Sequence, residues 1–276
     1  MAYKKILTIQ DISCVGQCSL TVALPILSAC GVETCILPSA VLSTHTAGFS
    51  GFTFRDLTDD MPAIQAHWQK ENIKFEAIYT GYLGSIKQVG YVKNILDTMG
   101  TDDCVRIVDP AMADNGKLYS IFNDEYVAAM RTLCPSADIF VPNITEAAFL
   151  TGTEYRESYD EAYITELCEK LCALGAKTVV MTGVGYREGK TGVAVYTDGK
   201  MDYYEHDKIG KGAHGTGDIY ASAFTGALMN DKSIFDAAKI AADYTVKCII
   251  NTQGDDSHWY GAKFETALGE LIKTLA

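Results

Sequence analysis

Residues 75–183 alternate short apolar runs with segments of helical length, and no other feature of this 276-residue chain restricts its fold as strongly. "FEAIYTG", "CVRIVDP", "ADIFVPN" and "AKTVVMTG" are strand-like runs that close on turn residues. Between them lie "IKQVGYVKNILDTM", "NDEYVAAMRTLC" and, after "TEAAFLTG", "YDEAYITELCEKLCALG", which read as helices. Apolar strands separated by helices predict an α/β fold with a mainly parallel central sheet and helices on both faces. The N-terminal part fits the same pattern, with strands at "KKILTIQ" (4–10) and "VETCILP" (32–38) around a helix in 19–31. "STHTAGFSGFTF" (43–54) reads as a loop, "TGVAVYTDGKMDYYEHDKI" (191–209) as a hairpin around Asp198-Gly199, and everything from Asp218 onward as helix. No linker or repeat interrupts the chain, so a single domain over 1–276 is expected.

One stretch, "IGKGAHGTGDIYASAF" (209–224), can be read two ways. Gly210, Gly212 and Gly215 spell GxGxxG, the spacing that cradles a dinucleotide. That reading needs a second strand ending in an acid about 20 residues on. Only helical sequence follows, so it fails. "GVGYREGKTG" (183–192) misses the spacing of a P-loop and reads as a turn into the hairpin. What survives is Gly215-Thr216-Gly217 as a backbone nest at the start of a helix beginning near Asp218. Free amides at a helix N-terminus carry partial positive charge and face an anion. Asp218 is then a candidate proton acceptor for phosphoryl transfer, against the plainer reading of an N-cap.

Ligands of parallel α/β sheets bind beyond the carboxyl ends of the strands. Asp11, Tyr82, Asp109, Asn143 with Glu146, and Thr182 are all expected there. Asp109 and Glu146 are hard oxygen donors of the kind that hold Mg²⁺ beside nucleotide phosphates.

Charge and cysteine usage narrow the partners. With 35 acidic against 23 basic residues the net charge is -12, which disfavours nucleic acid and anionic membranes. The nine cysteines form no CxxC pair and the five histidines no zinc spacing. Reduced, mostly buried thiols and a cytoplasmic location are expected.

Six ordered motifs, "TIQD", "STHT", "GYLGS", "VDPAM", "PNITEAAFLTG" and "GTGD", resemble the vitamin-kinase branch of the ribokinase superfamily, with pyridoxal/pyridoxamine kinases most similar. The resemblance runs from Ile6 to about Gly226. It implies a ribokinase-like three-layer sandwich that phosphorylates the 5′-hydroxymethyl group of a B6 vitamer, with ATP as co-substrate and Mg²⁺. It leaves a monovalent cation open, and implies a homodimer. Carried over, Asp218 is the base, and Gly215, Thr216 and Gly217 line the hole for the γ-phosphate. Asp109, Asn143, Glu146 and Thr182 face the triphosphate, with Asp109 and Glu146 on the metal. Asp11, Ser13, His45, Thr46 and Tyr82 surround the vitamer. Asp11 stands where such kinases often have serine, and its charge is expected to favour a cationic vitamer. "AHGTG", with His214, also resembles hydroxymethylpyrimidine phosphate kinases, which typically place cysteine where this chain has Asp218. A hydroxymethylpyrimidine kinase and a non-catalytic binder of nucleotide or vitamer remain the alternatives.

Overall fold

The computed structural model describes residues 3–210 and 213–276. Gly212 of the rejected dinucleotide reading therefore lies outside the described residues. The chain opens with β1 (Lys5–Ser13), α1 (Leu20–Ala29), β2 (Glu33–Leu42), β3 (Phe54–Asp56) and α2 (Met61–Lys70). Its middle comprises β4 (Phe75–Thr80), α3 (Ile86–Thr98), β5 (Gly100–Val108), β6 (Ala113–Asp114), β7 (Lys117–Leu118), α4 (Asp124–Arg131) and β8 (Ile139–Phe140). Then come α5 (Ile144–Thr151), α6 (Glu161–Ala173), β9 (Thr178–Val184), β10 (Lys190–Thr197) and β11 (Lys200–Asp207). Three helices finish it: α7 (Thr216–Met229), α8 (Ile234–Thr252) and α9 (Leu268–Leu275). No strand follows α7, which removes the dinucleotide reading on structural grounds.

Among the described residues nine strands form one sheet, in the order β11-β10-β9-β8-β5-β4-β1-β2-β3. Every neighbouring pair from β9 across to β2 is parallel. The antiparallel pairs are confined to the two margins. The hairpin turn has Asp198 at φ 51 and Gly199 at φ 76, the left-handed pair that matches the twist of the flanking strands.

Alternate strand residues feed two separate cores. Leu7, Ile9, Ile78, Val179 and Met181 pack under α2–α6, while Ile6, Ala77, Tyr79 and Val180 pack under α1, α7, α8 and α9. The period of two within each strand places a helical layer on each face. All nine cysteines are free thiols and five are buried. Among the described residues no helix is long and apolar enough to cross a membrane.

Three boundaries differ from expectation in ways that matter for the site. β1 runs on to Ser13, so Asp11 lies inside the strand, where the pairing to β2 shifts register between Gln10 and Ile12. Such a bulge re-aims the side chain it carries. Thr182 sits within β9 rather than past its end. α7 begins at Thr216 with Gly215 as its N-cap, so Asp218 is its third residue and not its cap.

Candidate active site

The sheet order brings the expected rim together. Thr182 on β9, Asn143 after β8, Asp109 after β5, Tyr82 after β4 and Asp11 on β1 occupy five adjacent strands in space. Asn143 and Thr182 form an isolated parallel bridge, and the Thr182 N–H donates to Pro142 O at 2.9 Å. The charges of Asp109 and Asp11 both bear on Asp218 and push its carboxyl upward. The three acids therefore share one electrostatic environment.

At the start of α7, Gly215 adopts φ 77, and a Cβ there would stand 1.6 Å from Gln17 O. Only glycine meets both demands. Gly217 is exposed, with no atom within 4 Å of the place a Cβ would occupy, so it leaves open space before the helix end. Ile219 N–H is the first to bond back, to Gly215 O. Among the described residues the N–H groups of Thr216, Gly217 and Asp218 have no acceptor. Donors without an acceptor among the described residues, at the positive end of a 14-residue helix, make a terminus that favours an anion.

Asp218 lies beside those donors, half-buried. Its Oδ2 accepts from the Ser19 N–H at 2.9 Å. Burial pushes its pKa up to about 7, against the Ser19 bond, which holds it down, and with the charges of Asp109 and Asp11. A carboxylate titrating near neutrality beside an anion site suits general-base work.

The other end of the rim is a knot of backbone-bound acids. Asn143 and Glu146 form a reciprocal capping box at α5, with Asn143 Oδ1 accepting from Glu146 N and Glu146 Oε2 from Asn143 N. Glu146 Oε1 also accepts from Met112 N at 3.0 Å, and Asn143 Nδ2 donates to Ala113 O at 2.8 Å. These bonds fix the loop after β5. Asp109 Oδ1 accepts from Ala111 N at 3.0 Å, while Oδ2 has no hydrogen bond among the described residues. Burial pushes Asp109 up to about 7. Burial and then the Asp109 charge push Glu146 up as well. Two buried carboxyls, the charge of one raising the other, form a place where a cation is electrostatically favoured.

The expected vitamer-side residues are only partly gathered. Ser13 donates to Asp11 Oδ2 at 3.0 Å and Ser19 Oγ to Asp11 Oδ1 at 2.6 Å, so both oxygens of Asp11 are occupied internally. Asp11 is 4 % exposed, and burial raises its pKa. Tyr82 is half-buried, its hydroxyl pushed up by burial and then by Asp11. His45 is buried: Nδ1 accepts from Ala47 N at 3.1 Å and Nε2 pairs with Tyr260 O at 2.7 Å, which sets a neutral tautomer with the proton on Nε2. Thr46 is exposed, and its side chain makes no hydrogen bond among the described residues. Two groups escaped the sequence reading. Ser19 looks like an ordinary helix start, and nothing local shows that its N–H meets Asp218. The segment 258–260 reaches back to the loop after β2, with Trp259 4.6 Å from Phe49 by ring centroid. Tertiary contact alone reveals that pairing.

Comparison with known proteins decides the family. A model described as phosphomethylpyrimidine kinase matches residues 24–260. The chain belongs to that family. Its fold is ribokinase-like, and the wider family includes both hydroxymethylpyrimidine phosphate kinases and pyridoxal kinases. The hydroxymethylpyrimidine/phosphomethylpyrimidine kinase of Bacillus subtilis (strain 168) is 29% identical over 222 residues, 78% of either chain. A Bacteroides thetaiotaomicron VPI-5482 protein, provisionally described as a phosphomethylpyrimidine kinase and crystallised with pyridoxal, superposes with a TM-score of 0.91 at 37% identity, covering 98% of this chain and 96% of that one. The pyridoxal kinase of Lactobacillus plantarum gives a TM-score of 0.91 at 30% identity, covering 98% and 97%.

Proposed function

We propose that this chain, working as one kinase domain over residues 1–276, transfers the γ-phosphate of ATP to the 5′-hydroxymethyl group of a B6 vitamer. The observation that carries this reading is the N-terminal end of α7: three N–H groups with no acceptor among the described residues, beside a carboxylate titrating near pH 7. In the transfer, Asp218 Oδ1 accepts the proton of the acceptor hydroxyl while the Ser19 N–H holds Oδ2. The amides of Thr216, Gly217 and Asp218 take the charge of the moving phosphoryl group. Asn143 and Thr182 face the triphosphate from the neighbouring strands. Asp109, with an oxygen to spare, would ligate Mg²⁺, with Glu146 contributing charge and holding the loop. Bound there with nucleotide phosphates and water, the ion would neutralise phosphate charge. Among the described residues no group of three or more His, Cys, Asp and Glu side chains stands ready to hold a metal, and Mg²⁺ commonly needs only one or two carboxylates. The pyridoxal in the Bacteroides crystal supports the B6 acceptor. A homodimer is part of this proposal on family resemblance alone.

The family's own description and the Bacillus relative favour a second reading, phosphorylation of hydroxymethylpyrimidine. Turnover of pyridoxal, pyridoxamine, pyridoxine and hydroxymethylpyrimidine with MgATP separates them. A vitamer is expected to give the highest kcat/KM. A strong preference for the pyrimidine replaces the B6 reading, and no turnover of any of the four leaves a non-catalytic binder.

A further inference from the structure

Ser19 is the N-cap of α1, and its carbonyl accepts from Val22 N and Ala23 N at 3.0 and 2.9 Å. A serine in that position ordinarily turns its hydroxyl inward to accept from the second or third amide of the helix. Ser19 makes no such bond. Its hydroxyl turns away and donates to Asp11 Oδ1 at 2.6 Å. Its backbone sits at φ 56, ψ -133, a region that residues with a Cβ rarely adopt. Glycine would adopt it freely and supply the same N–H. What serine adds is the hydroxyl, and that hydroxyl is committed to Asp11. An isolated antiparallel bridge to Ile12 brings the residue against β1. From this conformation the Ser19 N–H reaches Asp218 Oδ2 at 2.9 Å.

We propose that Ser19 is a positioning residue for proton transfer: its hydroxyl, anchored on Asp11, holds a strained backbone whose N–H fixes Asp218 Oδ2 and leaves Oδ1 for the incoming proton. This rests on Asp218 being the base. It also gives Asp11 a task the sequence does not suggest. Both of its oxygens serve Ser13 and Ser19, so it organises the acceptor side from beneath instead of selecting a cationic vitamer. Strain at a non-glycine residue is commonly retained where the surrounding bonds over-determine it, and here one of those bonds ends on the base itself.

The test is a set of kcat and KM values and kcat–pH profiles with MgATP and pyridoxal. Ser19→Ala keeps the strain and loses the anchor. Its kcat is expected to fall roughly tenfold with the KM for ATP unchanged. A weaker N–H bond raises the base, so the acid limb should move about one unit toward higher pH. Ser19→Gly needs no anchor and should stay within about threefold of wild type. Asp11→Ala also removes a charge that raises Asp218, so the limb should move toward lower pH in the Ser19→Gly background. In the Ser19 background the lost anchor opposes that move, and the two shifts should differ by about one unit, because only there does the coupling run through the hydroxyl. A folded Ser19→Ala protein with wild-type kcat and limb overturns the proposal. So does an equal Asp11→Ala shift in both backgrounds, a comparison that stands even where Ser19→Ala fails to fold. Asp218→Asn separates the two levels. If it turns over normally, the base assignment falls and the positioning role with it; if it is inactive while Ser19→Ala is normal, only the positioning role falls.

Discussion

Glu146 and Asp218 are each the third residue of a helix leaving the same edge of the sheet, and the two helix ends are built in opposite ways. At α5, Asn143 caps the helix and Glu146 reaches back to the cap's own N–H, so that terminus is closed on itself. At α7 the cap is a glycine with no side chain, and Asp218 bonds outward to Ser19. Its first three amides have no acceptor among the described residues. An acid at the same helical position is thus a fastener in one case and, in the function proposed above, a reactive group in the other. The cap residue and the side-chain length decide which. Glutamate can fold back across the first turn, and the glycine before α7 leaves the amides unsatisfied.

The strongest way to break this contrast is Asp218→Asn. The change is nearly isosteric, so nucleotide and vitamer binding should persist while kcat falls roughly 10²-fold or more. Pre-steady-state and steady-state kinetics on the folded variant check this, and near-normal turnover would end the distinction between the two acids.

Glu146→Gln tests the closed end. An amide nitrogen cannot accept, so one of the two N–H groups on Glu146 loses its partner. Stability should drop by about 1–3 kcal/mol, the cost of an unpaired buried donor. The Mg²⁺ concentration for half-maximal activity should rise roughly tenfold as the loop carrying Asp109 loosens. Denaturant unfolding and a Mg²⁺ titration read the two effects, and an unchanged pair of curves would remove Glu146 from both roles.

A third effect, on stability alone and set by pH, is expected at Asp109. Its native pKa of about 7 lies above the ordinary 3.8, so between those values the folded protein keeps a proton that the unfolded chain has released. Stability from this group therefore declines as pH rises through that window, and the whole penalty is present above it. Asp109→Asn should accordingly stabilise the metal-free protein at pH 8, by at most about 4 kcal/mol for a shift of about three units. The gain should vanish toward pH 4. A gain of equal size at both pH values would mean that packing, not ionisation, is responsible.

The parallel sheet and the acids at its carboxyl edge were legible because an apolar run announces where it stops, and Asp109 and Asn143 follow such stops directly. β3, β6 and β7 are two or three residues long, too short to carry a period. Asp11 is legible as a residue at the rim, but its bonds from Ser13 and Ser19 are not, since the bulge that re-aims it is a property of pairing with β2. Thr182 was placed past a strand that continues to Val184. Ser19 and Trp259 were invisible for one reason. Their partners, Asp218 and Phe49, lie about two hundred residues away in sequence, and no local pattern encodes such a meeting.

That distance has a consequence for how the protein is made. His45 is held by the carbonyl of Tyr260, and Phe49 by the ring of Trp259, so the loop after β2 is pinned by a segment some two hundred residues further along the chain. A chain emerging from the ribosome folds its N-terminal parts first. β1, β2 and β4 can pair before α7 brings Asp218 to Ser19. Only after residue 260 has emerged can His45 and Phe49 find these partners. A nascent chain halted before that point would carry the whole sheet with the loop after β2 still unpinned.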